Sequence, residues 1–472
     1  MITTDTACVI RRVSADTLTP VDILYGCDPV ALLESAVCAG KTGRFSIAVI
    51  DVAFAVYKKN GRYYKKCNSV ETEISAVSFF DALSHAPRFH TASDTVQVYP
   101  LPTGGVGFIG YECVAEMESA VRVHTTRSDE YEAYMTFGRS FIIFDHLHYE
   151  CICVVVQYEG ETINCAEMCD ELAASVSALP LKAYAVAQCR SSRLIAGDKD
   201  EREQFISRVR FVKEEIEKGN LLQCLLSRTR QIDTDHTPKD AYRMLRRTNP
   251  SPYMFYLVTD QSVIFGASPE EMISVRDGRI TMKPIAGTRP RGVTRGEDDR
   301  LEHDLLSDEK ECAEHRMLVD LTRNDIGRCA RSGTVQVPKA MYVERYSHVM
   351  HIVSDVEGIK RDDYSIGECV AAAFPAGTVS GAPKIQAINT ITACESSPRG
   401  VYAGLVGYID HVGNFDSCIA IRTAVQRGNV VTLQAGAGIV YDSVPEKEYE
   451  ETEHKMRVFL SLYGIHGEKE EL

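Results

Sequence analysis

Two pairs of glutamates in the C-terminal half of the chain have the spacing of shared ligands. The pairs are Glu311 with Glu314 and Glu448 with Glu451, each in a stretch whose pattern predicts a helix. Because residues three apart share one face of a helix, both carboxylates of a pair point the same way. Carboxylates from two helices supply the oxygen ligands that a hard divalent cation prefers, and the expected cofactor is Mg²⁺.

Glycine- and hydroxyl-rich segments separate the two pairs. They read PIAGTRPRG (284–292), FPAGTVSGAPK (374–384) and QAGAGIV (434–440). Turns of this composition present backbone N–H groups to an anion. Acidic pairs and anion-binding turns together predict a metal-assisted enzyme that acts on a small anionic substrate. The glutamate spacing alone is equally typical of solvated helix faces.

Composition and charge are those of a globular chain of 472 residues, with 44% hydrophobic and 25% charged residues. That length predicts two or three domains or one unusually large fold. The net charge of −14 argues against nucleic acid as a partner. It also means that an anionic substrate needs local compensation from a cation, an arginine or helix N-termini.

Signals for membrane insertion and secretion are missing from the sequence. No window approaches about 18 uncharged apolar residues, so no membrane partner is expected. The start, MITTDTACVIRR, lacks the apolar segment of a secretory signal. The sixteen cysteines are scattered without a C-x-x-C pair, which favours buried thiols in a reducing cytoplasm over zinc sites or disulfides.

The elements that must position these residues fall into two predicted domains, 1–195 and 196–472. Near the start, Asp28 as N-cap and Pro29 as first helical residue predict a helix over 28–40. Hydrophobic periodicity predicts further elements: a strand over 45–57, a hairpin over 140–160, a helix over 200–219, and strands over 262–268 and 278–288.

The glutamate pairs lie in helices with recognisable starts. Asp308 begins a capping-box pattern before the first pair, and Ser443 begins another before the second. Between these helices, residues 401–440 predict a three-stranded antiparallel meander with glycine- and asparagine-containing turns.

Nine segments agree in order and spacing with a known enzyme family. They are SPE (268–270), PIAGT (284–288), KECAEHRMLVDLTRND (310–325), YSHVMHIVS (346–354), FPAGTVSGAPK (374–384), GLVGYID (404–410), IAIRTA (419–424), QAGAGIV (434–440) and DSVPEKEYEET (442–452). With these segments the sequence resembles the chorismate-utilising enzymes, and most of all their anthranilate synthase component I branch. The resemblance implies an α+β fold, with a large core of stacked β-sheets and helices on the outer faces.

Ala286 and the segment DPVALLESA (28–36) indicate the branch. Family members that attack the ring with water, or that make 4-amino-4-deoxychorismate, generally carry lysine at the third position of PIxGT, where its amine acts as a base or nucleophile. Ala286 can do neither, so the nucleophile must come from outside, which fits ammonia. Residues 28–36 and NPSPYMFYL (249–257) resemble the elements through which tryptophan inhibits anthranilate synthases.

The resemblance implies conversion of chorismate and ammonia into anthranilate and pyruvate, a step of tryptophan biosynthesis. It implies Mg²⁺ on the ring carboxylate, with Glu314 and Glu451 as direct ligands and with Glu311 and Glu448 nearby or bound through water. We find no glutaminase motif. Ammonia from glutamine would therefore require a separate amidotransferase subunit, component II, with which the family commonly forms a heterotetramer.

Three candidate catalytic residues follow from the matching motifs. Glu270 in SPE is the candidate general acid for the departing hydroxyl, and its neighbour Glu271 is the rival. His351 is the candidate base for the ring proton or a positioning residue, and His348 is the rival. Thr378 completes the set.

The resemblance also implies two sets of binding residues. Arg422 would pair with a substrate carboxylate, and Lys455 either adds a positive charge or is an ordinary surface lysine. The other substrate-binding residues are Gly287, Thr288, Tyr402, and the amides of Gly436, Ala437 and Gly438. The tryptophan pocket would consist of Glu34, Ser35, Pro252, Tyr253, Met254, Tyr408 and Cys418, with a carboxylate and a hydroxyl for the ligand's amino group.

One strand must serve two of these sites. Tyr402 and Tyr408 share parity on a single predicted strand, yet they are assigned to different pockets. We therefore expect a bend or bulge, at Gly404 or Gly407.

Two alternative functions stay open. The first is the 4-amino-4-deoxychorismate synthase component, against which Ala286 and the LLES segment argue. The second is a non-catalytic sensor that binds tryptophan or chorismate, against which the full set of acidic and glycine residues argues.

Overall fold

The computed structural model describes residues 8–15, 17–35, 43–89, 98–126, 129–179, 191–196, 199–346 and 349–465. The helices within these ranges are α1 (Pro20–Gly26), α2 (Phe79–Ser84), α3 (Val114–Met117), α4 (Cys165–Ser177), α5 (Lys199–Glu217), α6 (Pro238–Thr248), α7 (Arg295–Ser307), α8 (Glu309–Cys329), α9 (Ile366–Ala373), α10 (Lys384–Cys394) and α11 (Pro445–Leu462).

The strands alternate with these helices along the chain. They are β1 (Cys8–Ser14), β2 (Ala31–Glu34), β3 (Phe45–Lys59), β4 (Arg62–Cys67), β5 (Val70–Ile74), β6 (Val106–Ile109), β7 (Ala133–Asp145), β8 (Glu150–Val156), β9 (Ser192–Ala196), β10 (Gln223–Thr234), β11 (Tyr253–Val258), β12 (Val263–Ser268), β13 (Glu271–Arg276), β14 (Arg279–Met282), β15 (Ile285–Pro290), β16 (Gln336–Arg345), β17 (Val349–Ile359), β18 (Gly381–Ala382), β19 (Leu405–Ile409), β20 (Phe415–Ile419), β21 (Thr423–Arg427) and β22 (Val430–Ile439).

The strands join into one continuous, largely antiparallel sheet, and their side chains alternate between two hydrophobic cores. In β3, Val49 packs into the first core and Ala48 into the second. The first core lies among the strands and includes residues of α8 and α9, whereas the second lies beneath α4, α6 and α11. Strands around one core with helices over the other confirm the predicted α+β fold.

Several elements lie where the sequence predicts them. The prediction is confirmed for the strand over 45–57 (β3), the hairpin over 140–160 (β7 and β8), the helix over 200–219 (α5) and the strand over 262–268 (β12). The strand predicted over 278–288 is divided into β14 and β15, which both pair with β17.

The prediction of a helix over 28–40 is wrong for residues 28–35, which the structure describes. Residues 31–34 form strand β2, and Asp28 has a φ of 50°, so it does not cap a helix. Leu32 pairs with Ala48 on one side and Tyr256 on the other. Two flanking strands and complete burial of Leu32 outweigh the local capping signal. Residues 36–42 lie outside the described part of the chain.

The predicted meander is also divided. The segment 415–426 forms two strands, β20 and β21, because the chain turns at Ala420–Arg422, where Arg422 has a φ of 51°. β20 pairs with β13 and β19, whereas β21 pairs with β12 and β22. The turn places Arg422 outside the sheet ladder.

The bend expected between Tyr402 and Tyr408 is confirmed at Gly404. Tyr402 lies in a turn, Ala403 has a φ of 63°, and β19 begins only at Leu405. A Cβ on Gly404 would lie 2.2 Å from the carbonyl oxygen of Ile109, so only glycine permits this approach.

Strands from both predicted domains pair with each other. β2 pairs with β11, and β6 pairs with β19. The boundary at 195 stays a prediction. None of the described helices is long and apolar enough to cross a membrane.

Candidate active site

Helix α8 presents the first glutamate pair from its N-terminal end. The Asp308 carboxylate accepts hydrogen bonds from the N–H groups of Lys310 (3.1 Å) and Glu311 (3.2 Å), which confirms the predicted helix start. Gln223 of β10 donates a 3.1 Å hydrogen bond from its side-chain amide to Glu314. Burial and the neighbouring charge of Glu311 raise the pKa of the Glu314 carboxyl.

Helix α11 presents the second pair, but its start differs from the prediction. Val444 is the N-cap and Pro445 the first helical residue, so the capping box predicted at Ser443 is wrong. The Ser443 hydroxyl instead accepts a 3.0 Å hydrogen bond from the N–H of Val440. The reason is local, since Pro445 fixes the helical φ at the first position.

Lys455 belongs to the site, which decides against an ordinary surface lysine. Its Nζ lies 2.6 Å from a carboxylate oxygen of Glu451 and donates a 2.8 Å hydrogen bond to the carbonyl of Gly436. Burial raises the pKa of Glu448 and of Glu270, and the charge of Lys455 opposes both shifts. One ammonium group therefore influences three carboxyl groups.

The two glutamate pairs lie close enough to repel each other. After burial and Glu311, the charge of Glu451 also contributes to the raised pKa of Glu314. Across the described ranges, no three His, Cys, Asp or Glu side chains are arranged to hold a metal ion. The oxygen-only donor set and its mutual repulsion nevertheless fit a hard divalent cation, around which the carboxylates must draw together.

Glu270 is a buried carboxyl with one hydrogen-bonding partner of catalytic interest. Its side chain accepts a 2.9 Å hydrogen bond from the Thr378 hydroxyl. Burial raises the pKa of Glu270 to about 7. At neutral pH a large fraction of this group is therefore protonated, as a general acid requires.

Glu271 points to a different part of the protein. It accepts hydrogen bonds from the hydroxyls of Tyr253 (3.2 Å) and Thr281 (3.3 Å). Burial, with the charge of Asp416, raises its pKa to about 7 as well. The pKa values therefore do not separate the two neighbours, but the contact with Thr378 favours Glu270 as the general acid.

His351 is held by the β-bulge at Gly287 in β15. Its Nδ1 lies 3.0 Å from the Gly287 carbonyl and 3.0 Å from the Thr288 hydroxyl. Because a carbonyl only accepts, Nδ1 carries the hydrogen of the neutral ring and Nε2 keeps its lone pair. Burial lowers the pKa of His351, which favours the neutral base. The rival His348 lies outside the described residues.

Gly287 brings these groups close to the acidic pair. It has a φ of 72°, and a Cβ there would lie 3.2 Å from a carboxylate oxygen of Glu311. Glycine is therefore required both for the backbone conformation and for the close approach. The predicted Gly287, Thr288 and His351 are thus next to one another and beside the first glutamate pair.

Arg422 offers unpaired donors to an anion. The Arg422 guanidinium donates one long hydrogen bond, 3.4 Å, to the carbonyl oxygen of Lys455. No carboxylate within the described ranges forms an ion pair with this guanidinium. Burial lowers the pKa of Arg422, while the negative charge of Glu451 opposes that shift. A half-buried guanidinium with free donors suits a substrate carboxylate.

Tyr402 lies above the glycine segment of β22. Its hydroxyl would be only 2.9 Å from a Cβ on Gly436. A Cβ on Gly438 would in turn lie 3.0 Å from the side-chain amide nitrogen of Gln223, the residue that contacts Glu314. The predicted tyrosine and glycines thus line one side of the site.

The amide of Ala437 does not share the role predicted for its neighbours. In β10, the N–H of Ser227 bonds to Glu395 and the N–H of Leu225 to the Ser380 carbonyl, so both face away from β22. Their partners Gly436 and Gly438 then face away from β10, whereas Ala437 pairs with Leu226. The prediction of three free amides is therefore wrong for Ala437.

The predicted tryptophan pocket is divided between two faces of the sheet. Glu34 accepts hydrogen bonds from Tyr242 (2.7 Å) and forms a 2.8 Å ion pair with Arg246, both on α6. Met254 pairs with Glu34 in β2 and β11 and is buried in the second core. Arg246 pairs with the Glu34 carboxylate in this structure, and the role of Glu34 in binding a ligand's amino group stays a prediction.

The other predicted pocket residues lie on the opposite face. Tyr253, Tyr408 and Cys418 pack against the first core, and burial followed by the charge of Asp416 raises the pKa of both tyrosines. Ser35 has a buried hydroxyl without a hydrogen-bond partner in the described residues, and Pro252 is half-buried. The orphaned hydroxyl is the kind of group that a polar ligand satisfies.

Sequence reasoning missed several residues that shape the site. Gln223 contacts Glu314, and Tyr346 lies edge-on to His351 with ring centres 5.6 Å apart. Arg399 is buried, donates to the carbonyls of Val379 and Leu225 (both 2.8 Å), and stands over Tyr402. Tyr346 could have been predicted from the sequence, because it begins the matching segment YSHVMHIVS.

The chain is similar over nearly its full length to known proteins. A family model described as chorismate binding enzyme matches residues 36–461. The anthranilate synthase component 1 of Spirochaeta aurantia is 39% identical over 97% of this chain and 95% of its own length. That of Aquifex aeolicus is 41% identical over 93% and 90%.

A solved structure agrees with these relatives. The crystal structure of anthranilate synthase component I from Streptococcus pneumoniae is 32% identical, covers 95% of this chain and 99% of its own, and superposes with a TM-score of 0.78. The similarity spans the acidic pairs, the glycine segments and the motifs around Glu270 and His351. The chain therefore belongs to the chorismate binding enzyme family, within the group of the anthranilate synthase component 1 proteins.

Proposed function

We propose that this chain converts chorismate and ammonia into anthranilate and pyruvate. The observation that carries the proposal is the buried carboxyl of Glu270, whose pKa burial raises to about 7, in a site that also holds Thr378, His351 and the free donors of Arg422. Ala286 supports an external nucleophile, since it offers no amine of its own. The relatives that bear the anthranilate synthase name support the same reaction.

The reaction requires two proton transfers by residues of this chain. Ammonia adds to the ring carbon beside the carboxylate while the ring hydroxyl leaves, and Glu270 donates the proton with which it departs as water. The enolpyruvyl group then leaves as the enolate of pyruvate while Nε2 of His351 accepts the ring proton and the ring becomes aromatic, and the enolate takes up a proton to give pyruvate. Arg422 and the outward amides of Gly436 and Gly438 would bind the substrate carboxylates.

The acidic pairs would hold Mg²⁺, with Glu314 and Glu451 as direct ligands and with Glu311 and Glu448 beside them. When bound, the ion supplies positive charge that stabilises the ring carboxylate during addition of ammonia. This chain's contribution is to bring the carboxylates of α8 and α11 together.

A product assay tests the reaction. The purified chain is incubated with chorismate, Mg²⁺ and ammonium, and we expect the fluorescence of anthranilate with an equal amount of pyruvate. Without ammonium neither product is expected. Formation of 4-amino-4-deoxychorismate or isochorismate instead would show that the proposed reaction is wrong.

Tryptophan is the proposed feedback inhibitor, bound near the orphaned hydroxyl of Ser35. Replacing Ser35 with alanine is expected to raise the tryptophan concentration for half-inhibition by about tenfold, because a hydrogen bond to a charged ligand group contributes about 1.5–3 kcal/mol. Turnover without tryptophan should stay nearly constant. Ser175→Ala on the exposed face of α4 is the matched control. Unchanged inhibition in Ser35→Ala would show that Ser35 does not bind tryptophan.

We also propose that a glutamine amidotransferase subunit, component II, supplies the ammonia in a heterotetramer located in the cytoplasm. The external nucleophile implied by Ala286 and the names of the relatives support such a partner. Addition of that subunit should allow glutamine to replace ammonium in the product assay.

A further inference from the structure

A buried ion pair lies beside the residues of the proposed active site. The Arg399 guanidinium donates two hydrogen bonds to the Glu395 carboxylate, one from Nε (2.9 Å) and one from Nη2 (2.7 Å). Arg399 is 4% exposed and Glu395 is 7% exposed. Glu395 ends helix α10, and Arg399 lies in the turn that leads to β19. The proposed chemistry uses neither side chain.

Further donors of Arg399 reach two segments of the site. Nη1 donates a 2.8 Å hydrogen bond to the carbonyl of Val379, and Nη2 donates another of 2.8 Å to the carbonyl of Leu225 in β10. Val379 directly follows Thr378, whose hydroxyl donates to Glu270. The guanidinium therefore ties the segment that carries Thr378 to a central strand of the sheet.

The turn that carries Arg399 is itself anchored. The Glu112 carboxylate accepts hydrogen bonds from the N–H groups of Arg399 (2.7 Å) and Gly400 (3.0 Å). The guanidinium carbon lies 4.7 Å from the ring centre of Tyr111 and 5.7 Å from that of Tyr402. Both the backbone and the side chain of Arg399 are thus fixed, and Tyr402 follows from a rigid turn.

Glu395 extends the same network to the glycine segment of β22. Its carboxylate accepts hydrogen bonds from the N–H (2.8 Å) and the hydroxyl (2.9 Å) of Ser227. Ser227 pairs with Gly436, and the Tyr402 hydroxyl lies above that glycine. The ion pair therefore connects three parts of the site: the segment of Thr378, the turn of Tyr402 and the strand beside Gly436.

The geometry of Arg399 suits the holding of protein groups and not the binding of substrate. Its four hydrogen bonds all go to protein atoms, whereas Arg422 keeps donors free. Apolar residues of similar volume often stabilise a fold as well as a buried ion pair does, so stability alone does not explain this pair. Apolar side chains cannot supply the planar fork of a guanidinium, which fixes the direction of every bond that it makes.

We propose that Arg399, with Glu395, is a positioning residue for the general acid: through Val379 it keeps the Thr378 hydroxyl directed at Glu270. The inference rests on the proposed function, because it requires that Glu270 gives its proton to the departing hydroxyl. The effect of Arg399 on the reaction is indirect and passes through Thr378.

The contact with Thr378 influences the pH range in which Glu270 is protonated. Burial raises the pKa of Glu270 to about 7, and the hydrogen bond from Thr378 and the charge of Lys455 oppose that rise. Tyr346 also lies near, since burial, Glu344 and the charge of Glu270 raise its pKa. Loss of the Thr378 bond removes a group that stabilises the carboxylate, so the pKa of Glu270 should rise further. The alkaline fall in kcat/KM, which follows deprotonation of the acid, should then move to higher pH.

The test removes the ion pair without leaving a lone buried charge. In Arg399→Met combined with Glu395→Gln, we expect kcat to fall by about 10²-fold, the cost of a misplaced catalytic contact. The alkaline fall in kcat/KM should move by about 0.5–1 pH unit to higher pH, as for the loss of one hydrogen bond. Thr378→Val should give the same move, and adding it to the first two changes should move the fall no further, because both act on one contact.

Arg399→Lys is a second, milder variant. Lysine keeps a positive charge for Glu395, so the fold should be retained, but it lacks the planar fork that reaches two carbonyls. We therefore expect the same move of the alkaline fall with a smaller loss of Tm. If the first variant does not fold, Arg399→Lys decides the question alone.

Arg139→Met in β7 is the matched control, because Arg139 is also paired, with Asp51 (2.7 Å) and Glu161 (2.8 Å). It should lower Tm and leave the pH profile unchanged. If the folded Arg399 variants keep the pH profile of the unaltered chain, with or without a loss of kcat, Arg399 does not position the acid. A move that adds in full to that of Thr378→Val would also overturn the proposal. Failure of the proposed function gives a different result, since the unaltered chain would then form no anthranilate.

Discussion

Replacing Glu270 with glutamine is expected to reduce kcat by about 10²–10⁴-fold, the usual contribution of a general acid. Glutamine keeps the size of the side chain and can still accept the hydrogen bond from Thr378, but it has no proton to give to the departing hydroxyl. The KM for chorismate should change little, because the carboxylate-binding groups are elsewhere. The measurement is steady-state anthranilate formation with saturating ammonium.

The pH dependence separates this role from a structural one. Burial raises the pKa of Glu270 to about 7, and only the protonated form donates, so kcat/KM should fall as pH rises through about 7. Glu270→Gln should lack this alkaline fall. Glu271→Gln is the matched control, because Glu271 has the same raised pKa but contacts Tyr253 instead of Thr378. If the fall disappears in Glu271→Gln and persists in Glu270→Gln, Glu271 is the acid.

Motifs allowed distant residues to be assigned to one site from the sequence. Glu270 and Thr378 are 108 residues apart in the chain and 2.9 Å apart in the structure. No periodicity or spacing predicts such a contact, and only the resemblance placed both residues in one site. Local signals were sufficient where the chemistry is local, as at Asp308, whose carboxylate caps α8.

Predictions failed where distant partners decide the outcome. Asp28 and Pro29 form a sound helix start by local rules, yet β3 and β11 pair with residues 31–34 and make them a strand. The ion pair of Glu34 with Arg246, 212 residues further along, is another long-range contact that local rules do not predict. The sequence contains both residues and gives no sign that they meet.

The same limit applies to backbone geometry. The segment 415–426 has the composition of one strand, and its division depends on the left-handed conformation of Arg422. That turn brings the guanidinium out of the ladder and into the site. A strained backbone at a binding residue is the kind of feature that local propensity cannot predict.

Replacing Glu451 with glutamine is expected to raise the Kd for Mg²⁺ by more than about tenfold, since even outer-shell partners of a metal contribute about 10–100-fold to its affinity. Calorimetric titration of the chain with Mg²⁺ measures this directly, without an assay of activity. In the unaltered chain, Mg²⁺ at about 100 times its Kd should stabilise the fold by about 2.7 kcal/mol, and thermal unfolding should show this as an increase in Tm.

Glu314→Gln should raise the Kd for Mg²⁺ in the same way. The charge of Glu451 already acts on Glu314 across the gap between α11 and α8, so both carboxylates are close enough to share one ion. Glu450→Gln is the matched control: it removes an equal charge from the exposed face of α11 and should leave the Kd unchanged. Anthranilate formation should be lost in Glu451→Gln, whereas inhibitor binding near Ser35 should persist. If Glu451→Gln and Glu314→Gln both bind Mg²⁺ as the unaltered chain does, the ion lies elsewhere and the two helices do not form its site.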